Sequence, residues 1–154
     1  MAAENLVLFK KGEGEKLVEV SASQAGGPSA LITVDHKFGL THFEAGSGFF
    51  KSDSLIPLTF TWQSYEDIKE QYELVLFLKK DGKLYMQRRH QMGYLIYPTL
   101  VWKKGETIKE HFWLSVPRFK KQGEYSLEMG FVGRSNNRAV TQKTYPLANL
   151  FFQK

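Results

Sequence analysis

From Tyr125 to Phe131 a large apolar side chain stands at every second position: Tyr125, Leu127, Met129 and Phe131, with Ser126, Glu128 and Gly130 between them. Side chains of an extended strand point alternately to two faces, whereas a helix face recurs at three and four residues. The spacing therefore predicts a strand with one buried face. The same alternation recurs elsewhere. Leu58, Phe60 and Trp62 alternate with Thr59, Thr61 and Gln63, and Phe112, Leu114 and Val116 alternate with His111, Trp113 and Ser115. Residues 72–78 are apolar with little interruption and read as a central strand buried on both faces. The one helical candidate, 65–71, is polar and barely two turns long, so it reads as a loop with a helical turn.

Turn chemistry falls between these segments. Asp81-Gly82 predicts a hairpin between 72–78 and 84–87, because glycine accepts the positive φ of a tight turn. Lys104-Gly105-Glu106 and Gln122-Gly123-Glu124 punctuate in the same way. Gly133-Arg134-Ser135-Asn136-Asn137 separates 125–132 from 138–145 and predicts a second hairpin. Pro117 ends a strand, since it cannot donate to a ladder. In the first fifty residues, 6–9, 17–20 and 31–34 read as short strands joined by Gly12-Glu13-Gly14 and by the loop 21–29. With 154 residues and 42% hydrophobic content there is material for one core and too little chain for two ordinary domains. The expectation is a single all-β domain over residues 1–154, an antiparallel β-sandwich of immunoglobulin-like or jelly-roll kind with about eight strands.

Several chemistries are excluded or disfavoured. The longest uninterrupted apolar run, 74–78, has five residues against the roughly 20 needed to cross a bilayer. The N-terminus lacks the apolar core of a secretory signal, so the chain reads as soluble as given. With no cysteine there are no disulfides, Cys-ligated zinc, iron–sulfur clusters or thiol nucleophiles. His36, His42, His90 and His111 are too dispersed for a recognised ligand spacing, so neither a metal nor another cofactor is expected. Glu106 and Glu110, and Glu66, Glu70 and Glu73, lie in turns or at helical spacing without an identifiable acid and nucleophile. There is no Gly-x-Ser-x-Gly elbow and no glycine-rich phosphate loop. No catalytic residue is assigned, and a non-enzyme is expected.

Twenty-one Lys and Arg against sixteen Asp and Glu give a net charge of +5. A basic surface attracts nucleic acid, anionic headgroups and acidic polysaccharide through the same field, so the sign alone does not choose. The cations come as pairs beside glycine, as solvated turns do, and no nucleic-acid motif is present. Trp62 and Trp102 lie on the apolar phase and read as core. Trp113 lies out of phase with Phe112 and Leu114, so it points to the opposite face, where its ring is available to stack on a sugar or a partner. Segment 88–97, with Arg88, Arg89, Tyr94 and Tyr97, reads as a long connection with binding chemistry: guanidinium groups for carboxylate or phosphate, flat rings for pyranose faces. The competing reading is an edge strand and crossover packed on the core. Arg134 and Arg138, at the tip of the second hairpin, complete the candidate ligand-binding set.

From about residue 55 to 132 the order of features resembles a known family. Pro98-Thr99-x-x-Trp102-x-x-Gly105-Glu106, Leu114-x-x-Pro117 and Gly123-x-Tyr125-x-Leu127-x-x-Gly130 resemble the signatures of a β-sandwich accessory domain attached to bacterial membrane glycosyltransferases and related envelope proteins. The resemblance implies a non-catalytic accessory or carbohydrate-binding module of the bacterial cell envelope. It would be extracytoplasmic, periplasmic or at the cell surface, meeting the membrane only through a parent protein. The partner then expected is an acidic polysaccharide or other glycan, with no nucleic acid. The rival reading is a protein–protein interaction or assembly module in which the same aromatic face meets another subunit.

Overall fold

The computed structural model describes residues 7–9, 16–22, 30–46, 49–51, 55–94, 96–116, 121–134, 138–139 and 144–153, with backbone only for 7–9, 16, 49 and 138–139. Alternating runs become strands. In chain order these are β1 (Val7–Phe9), β2 (Lys16–Ala22), β3 (Ile32–Val34), β4 (Phe38–Ala45), β5 (Phe49–Lys51) and β6 (Leu55–Ser64). After them come β7 (Tyr72–Lys80), β8 (Lys83–Gln91), β9 (Glu106–Ser115), β10 (Gly123–Gly133), β11 (Arg138–Ala139) and β12 (Tyr145–Gln153). A single 3-10 turn, Thr99–Val101, is the only helical element among the described residues. The eight longer strands match the number expected, and β1, β3, β5 and β11 are short additions of two or three residues.

The strands form two sheets. One, here sheet A, runs β1-β2-β9-β6-β4-β3; the other, sheet B, runs β5-β12-β10-β7-β8, with β11 attached to β10. Among the described residues every pairing is antiparallel except β5 with β12. The order β4-β6-β9 against β12-β10-β7 is that of strands A, B, E and G, F, C of an immunoglobulin domain, which decides between the two sandwich kinds foreseen. Two further details agree with it. The chain leaves sheet A after β4 to lay β5 parallel to the last strand, and the Tyr125 hydroxyl, at the start of β10, donates to the Lys121 carbonyl at 2.7 Å as a tyrosine corner does.

Between the sheets, Phe38 makes edge-to-face contacts with Trp62 of sheet A, Tyr72 and Phe131 of sheet B, and Trp102 of the connection, at 5.0–6.0 Å. Trp62 and Trp102 are fully buried, as their phase predicts. The hairpin at Asp81-Gly82 is present, with φ of 51° and 76°. Other expectations are corrected. Segment 65–71 bends without forming a helical turn, because its polar residues are tied to the neighbouring loop: Ile68 N–H bonds the Trp102 carbonyl and the Thr99 hydroxyl bonds the Glu70 carbonyl. Strand β8 continues to Gln91, four residues beyond its predicted end, since residues 88–91 stay in register with β7. Of the expected strand 138–145, residues 140–143 lie outside the described residues. Two residues, β11, close the hairpin with β10, and β12 starts at Tyr145. Gly12-Glu13-Gly14, residues 23–29 and Pro117 lie outside the described residues.

The motifs that carry the family resemblance hold structure. Thr99 accepts the Tyr72 N–H and donates to the Glu70 carbonyl, and Trp102 Nε1 donates to the Tyr97 carbonyl. Glu106 accepts both the Lys103 N–H and the Tyr97 hydroxyl. These bonds weld the β6–β7 loop to the β8–β9 connection at one pole of the sandwich.

Candidate functional site

Strand β9 alternates cleanly: Ile108, Glu110 and Leu114 are buried, while Lys109, His111, Trp113 and Ser115 point out of sheet A. Trp113 is half-buried on that outer face, as its phase predicts. Its cross-strand partner is Pro57. Beside it, His111 lies with its ring centroid 6.5 Å from that of Trp113, and His111 Nδ1 is 2.9 Å from the Thr59 hydroxyl. The next row toward β4 adds Glu44, opposite Thr59, and His42, opposite Thr61. His42 Nε2 and Glu44 Oε1 are 2.8 Å apart, and the hydrogen bond and charge of His42 hold the Glu44 carboxyl below the usual range. The outer face of sheet A thus carries one indole with imidazole, hydroxyl and carboxylate groups in rows beside it.

The structure does not gather the other predicted residues around Trp113. Arg89 lies on the outer face of sheet B, on the far side of the sandwich, because it pairs with Val75. There its Nε is 2.5 Å from Oε2 of Glu73, and Arg134 Nη1 bonds the other carboxylate oxygen. Glu73 is covered on that outer face and holds two guanidinium groups, so Arg89 and Arg134 are engaged by its carboxylate. Arg88 is exposed on the adjacent position of β8 and bonds the Gln87 carbonyl. Tyr97 is buried and donates to Glu106 at 2.6 Å. Tyr94 donates to the backbone carbonyl of His111, at the point where β2, paired to β9 only over Glu106–Glu110, no longer covers it. Burial lifts the hydroxyl pKa of both tyrosines, aided by the charge of Glu110 for Tyr94 and by the hydrogen bond to Glu106 for Tyr97. Of Arg138 only the backbone, in β11, is described. The segment 88–97 thus follows the competing reading, an edge strand and a crossover packed on the core.

One polar pair was missed. His90 at the end of β8 and Glu110 in β9 are both buried, with Nε2 2.7 Å from Oε1. The second carboxylate oxygen accepts the Gly93 N–H at 2.5 Å. His90 stacks on Phe112 at 4.5 Å and meets Tyr94 edge-on at 4.7 Å. Gly93 has φ of 74°, and a Cβ there would collide with the Tyr97 carbonyl, so only glycine fits this turn. Strand-phase reasoning treats each segment alone, and no local spacing signals a bond between the two sheets. Among the described residues no group of three or more His, Asp or Glu is arranged to hold a metal ion, and no helix is long and apolar enough to cross a membrane.

No protein-family model and no curated protein matches the sequence. Among solved structures the chain is similar to the C-terminal domain of Wzt, with TM-score 0.52 and 11% identity over 86% of this chain and 81% of that one. It is also similar to a Niemann-Pick type C2 protein from the Japanese carpenter ant, with TM-score 0.49 and 11% identity over 85% and 98%. At 11% identity the likeness to the Wzt domain is one of fold alone.

Proposed function

We propose that this domain is a non-catalytic carbohydrate-binding module of the bacterial cell envelope, working outside the cytoplasm as an accessory to a larger protein. The observation that carries the reading is Trp113, half-buried on the solvent side of sheet A beside a row of His111, Thr59 and Glu44. The Trp113 indole, on the outer phase of β9, has the aromatic surface on which pyranose rings stack. Hydroxyl, imidazole and carboxylate groups at strand spacing offer donors and acceptors to the sugar hydroxyls. The motifs at 98–106, 114–117 and 123–130 support the envelope setting. Arg89 and Arg134 are engaged by Glu73, so stacking and hydrogen bonding supply affinity on this face.

A glycan array followed by titration of the best hit tests the reading. Trp113→Ala is expected to abolish binding while the folded circular-dichroism signal is kept, since Trp113 lies on the outer face of sheet A and not between the sheets. Absence of any glycan ligand, together with concentration-dependent self-association that Trp113→Ala removes on a sizing column, would give the face to subunit assembly instead.

A further inference from the structure

The pole where β4 and β9 begin and β6 ends carries a cleft of about 430 Å³ lined by Lys37, Glu66, Asp67, Lys69 and Lys104. That volume suits a ligand of one or two sugar units. The three lysines come from three segments: the turn before β4, the β6–β7 loop and the turn before β9. Backbone bonds fix those segments to one another. Tyr65 N–H bonds the Lys37 carbonyl at 2.8 Å, Gly105 N–H the Ser64 carbonyl at 2.9 Å and Ile68 N–H the Trp102 carbonyl at 3.0 Å. The walls are therefore set before any ligand arrives, which lowers the ordering cost of binding.

The charges in the cleft are unequally committed. Asp67 Oδ1 accepts the Lys104 N–H at 3.0 Å, so this carboxylate is held at the wall. Among the described residues none of the ammonium groups of Lys37, Lys69 and Lys104 has an ion-pair partner, in contrast to Lys79 on Glu128 and the two arginines on Glu73. Three unpaired cations around one concavity raise the local concentration of anions, while two carboxylates beside them accept hydrogen bonds from hydroxyl groups. From this juxtaposition we infer that the cleft is a binding site for an acidic sugar, a polyhydroxylated ring bearing one carboxylate or phosphate. It lies roughly 23 Å from Trp113, seven strand residues along β9, and the inference stands apart from the reading of the sheet A face.

The test is an amide-shift titration of the uniformly labelled domain with glucuronate, glucose 1-phosphate, glucose and inorganic phosphate. Saturable shifts at residues 37, 65–69 and 104 are expected with one of the two acidic sugars, and which one responds identifies a carboxylate or a phosphate as the recognised group. Binding is expected to weaken as salt rises to about 0.2 M. Lys69→Ala with Lys104→Ala, both at exposed positions, is expected to lower affinity about tenfold or more, as loss of charge-assisted hydrogen bonds does. Trp113→Ala is expected to change nothing here. Equal response to inorganic phosphate and to the sugars, equal affinity in the lysine variant, or no saturable shift at these residues would overturn the proposal.

Discussion

The Glu110 carboxylate of sheet A accepts a hydrogen bond from the His90 imidazole of sheet B at 2.7 Å, with neither side chain exposed to water. The bond ties the edge strand β8 to the opposite sheet. Replacing Glu110 by Ala removes the acceptor for His90 and for the Gly93 N–H together, leaving two buried donors unpaired. A loss of about 3–5 kcal/mol is expected from breaking a buried pair on one side, read as a lower urea midpoint. Glu110→Gln keeps one oxygen and should lose less. Equal midpoints for wild type and Glu110→Ala would remove the bridge from the account of stability.

Trp102 fills the space between Phe38 and the β8–β9 connection, and its ring N–H satisfies the Tyr97 carbonyl at 2.8 Å. Truncation to Ala is expected to cost about 3–5 kcal/mol, a large share of a typical stability of about 5–15. Trp102→Phe keeps much of the packing and forfeits the hydrogen bond. Thermal melts of the two variants separate those contributions, and an unchanged melt for Trp102→Ala would place the ring outside the core.

Tyr94, Tyr97 and Tyr125 all hold their protons more tightly than a free tyrosine, chiefly because burial disfavours the phenolate. A group whose folded pKa exceeds its unfolded value stabilises the fold fully below the unfolded pKa, here about 10. That stability is withdrawn as pH rises through the raised value. Stability should thus be level through neutral pH and fall above about pH 10, with tyrosinate absorbance appearing together with loss of the folded circular-dichroism signal. Tyr94→Phe combined with Tyr97→Phe should flatten the alkaline limb. Tyrosinate forming in the ordinary range while the fold persists would contradict the buried placement of these hydroxyls.

The sandwich was legible because its strands bury one face each. Phase alone placed Leu58, Phe60 and Trp62 inside, and it set Trp113 apart from Phe112 and Leu114. Strands β4, β5 and β12 escaped notice for physical reasons. β4 carries Gly39 and a register shift between Leu40 and His42 that breaks the alternation, β5 has three residues, and β12 shifts against β10 near Leu127. The sequence did not show that the expected ligand residues lie on different faces, because residue type says nothing about direction. Arg88 and Arg89 are neighbours in sequence and point to opposite sides of β8, and Glu73, the partner that engages Arg89 and Arg134, is a residue the sequence presents as one more acid near a turn. The cleft lysines come from three segments far apart in the chain, and no local spacing brings them together.

The parallel seam of β5 on β12 also sets an order of assembly. Phe49–Lys51 has to wait for Phe151–Gln153, about a hundred residues later in the chain, before its backbone groups find their ladder. During synthesis sheet B holds one unfinished margin until β12 has been made, and β10 waits beside it for the same strand. The slow, non-local closure expected of such a topology is thereby concentrated at the docking of β12. A chain interrupted before Tyr145 would present two strands that still lack a neighbour, which is the state most open to pairing with another copy.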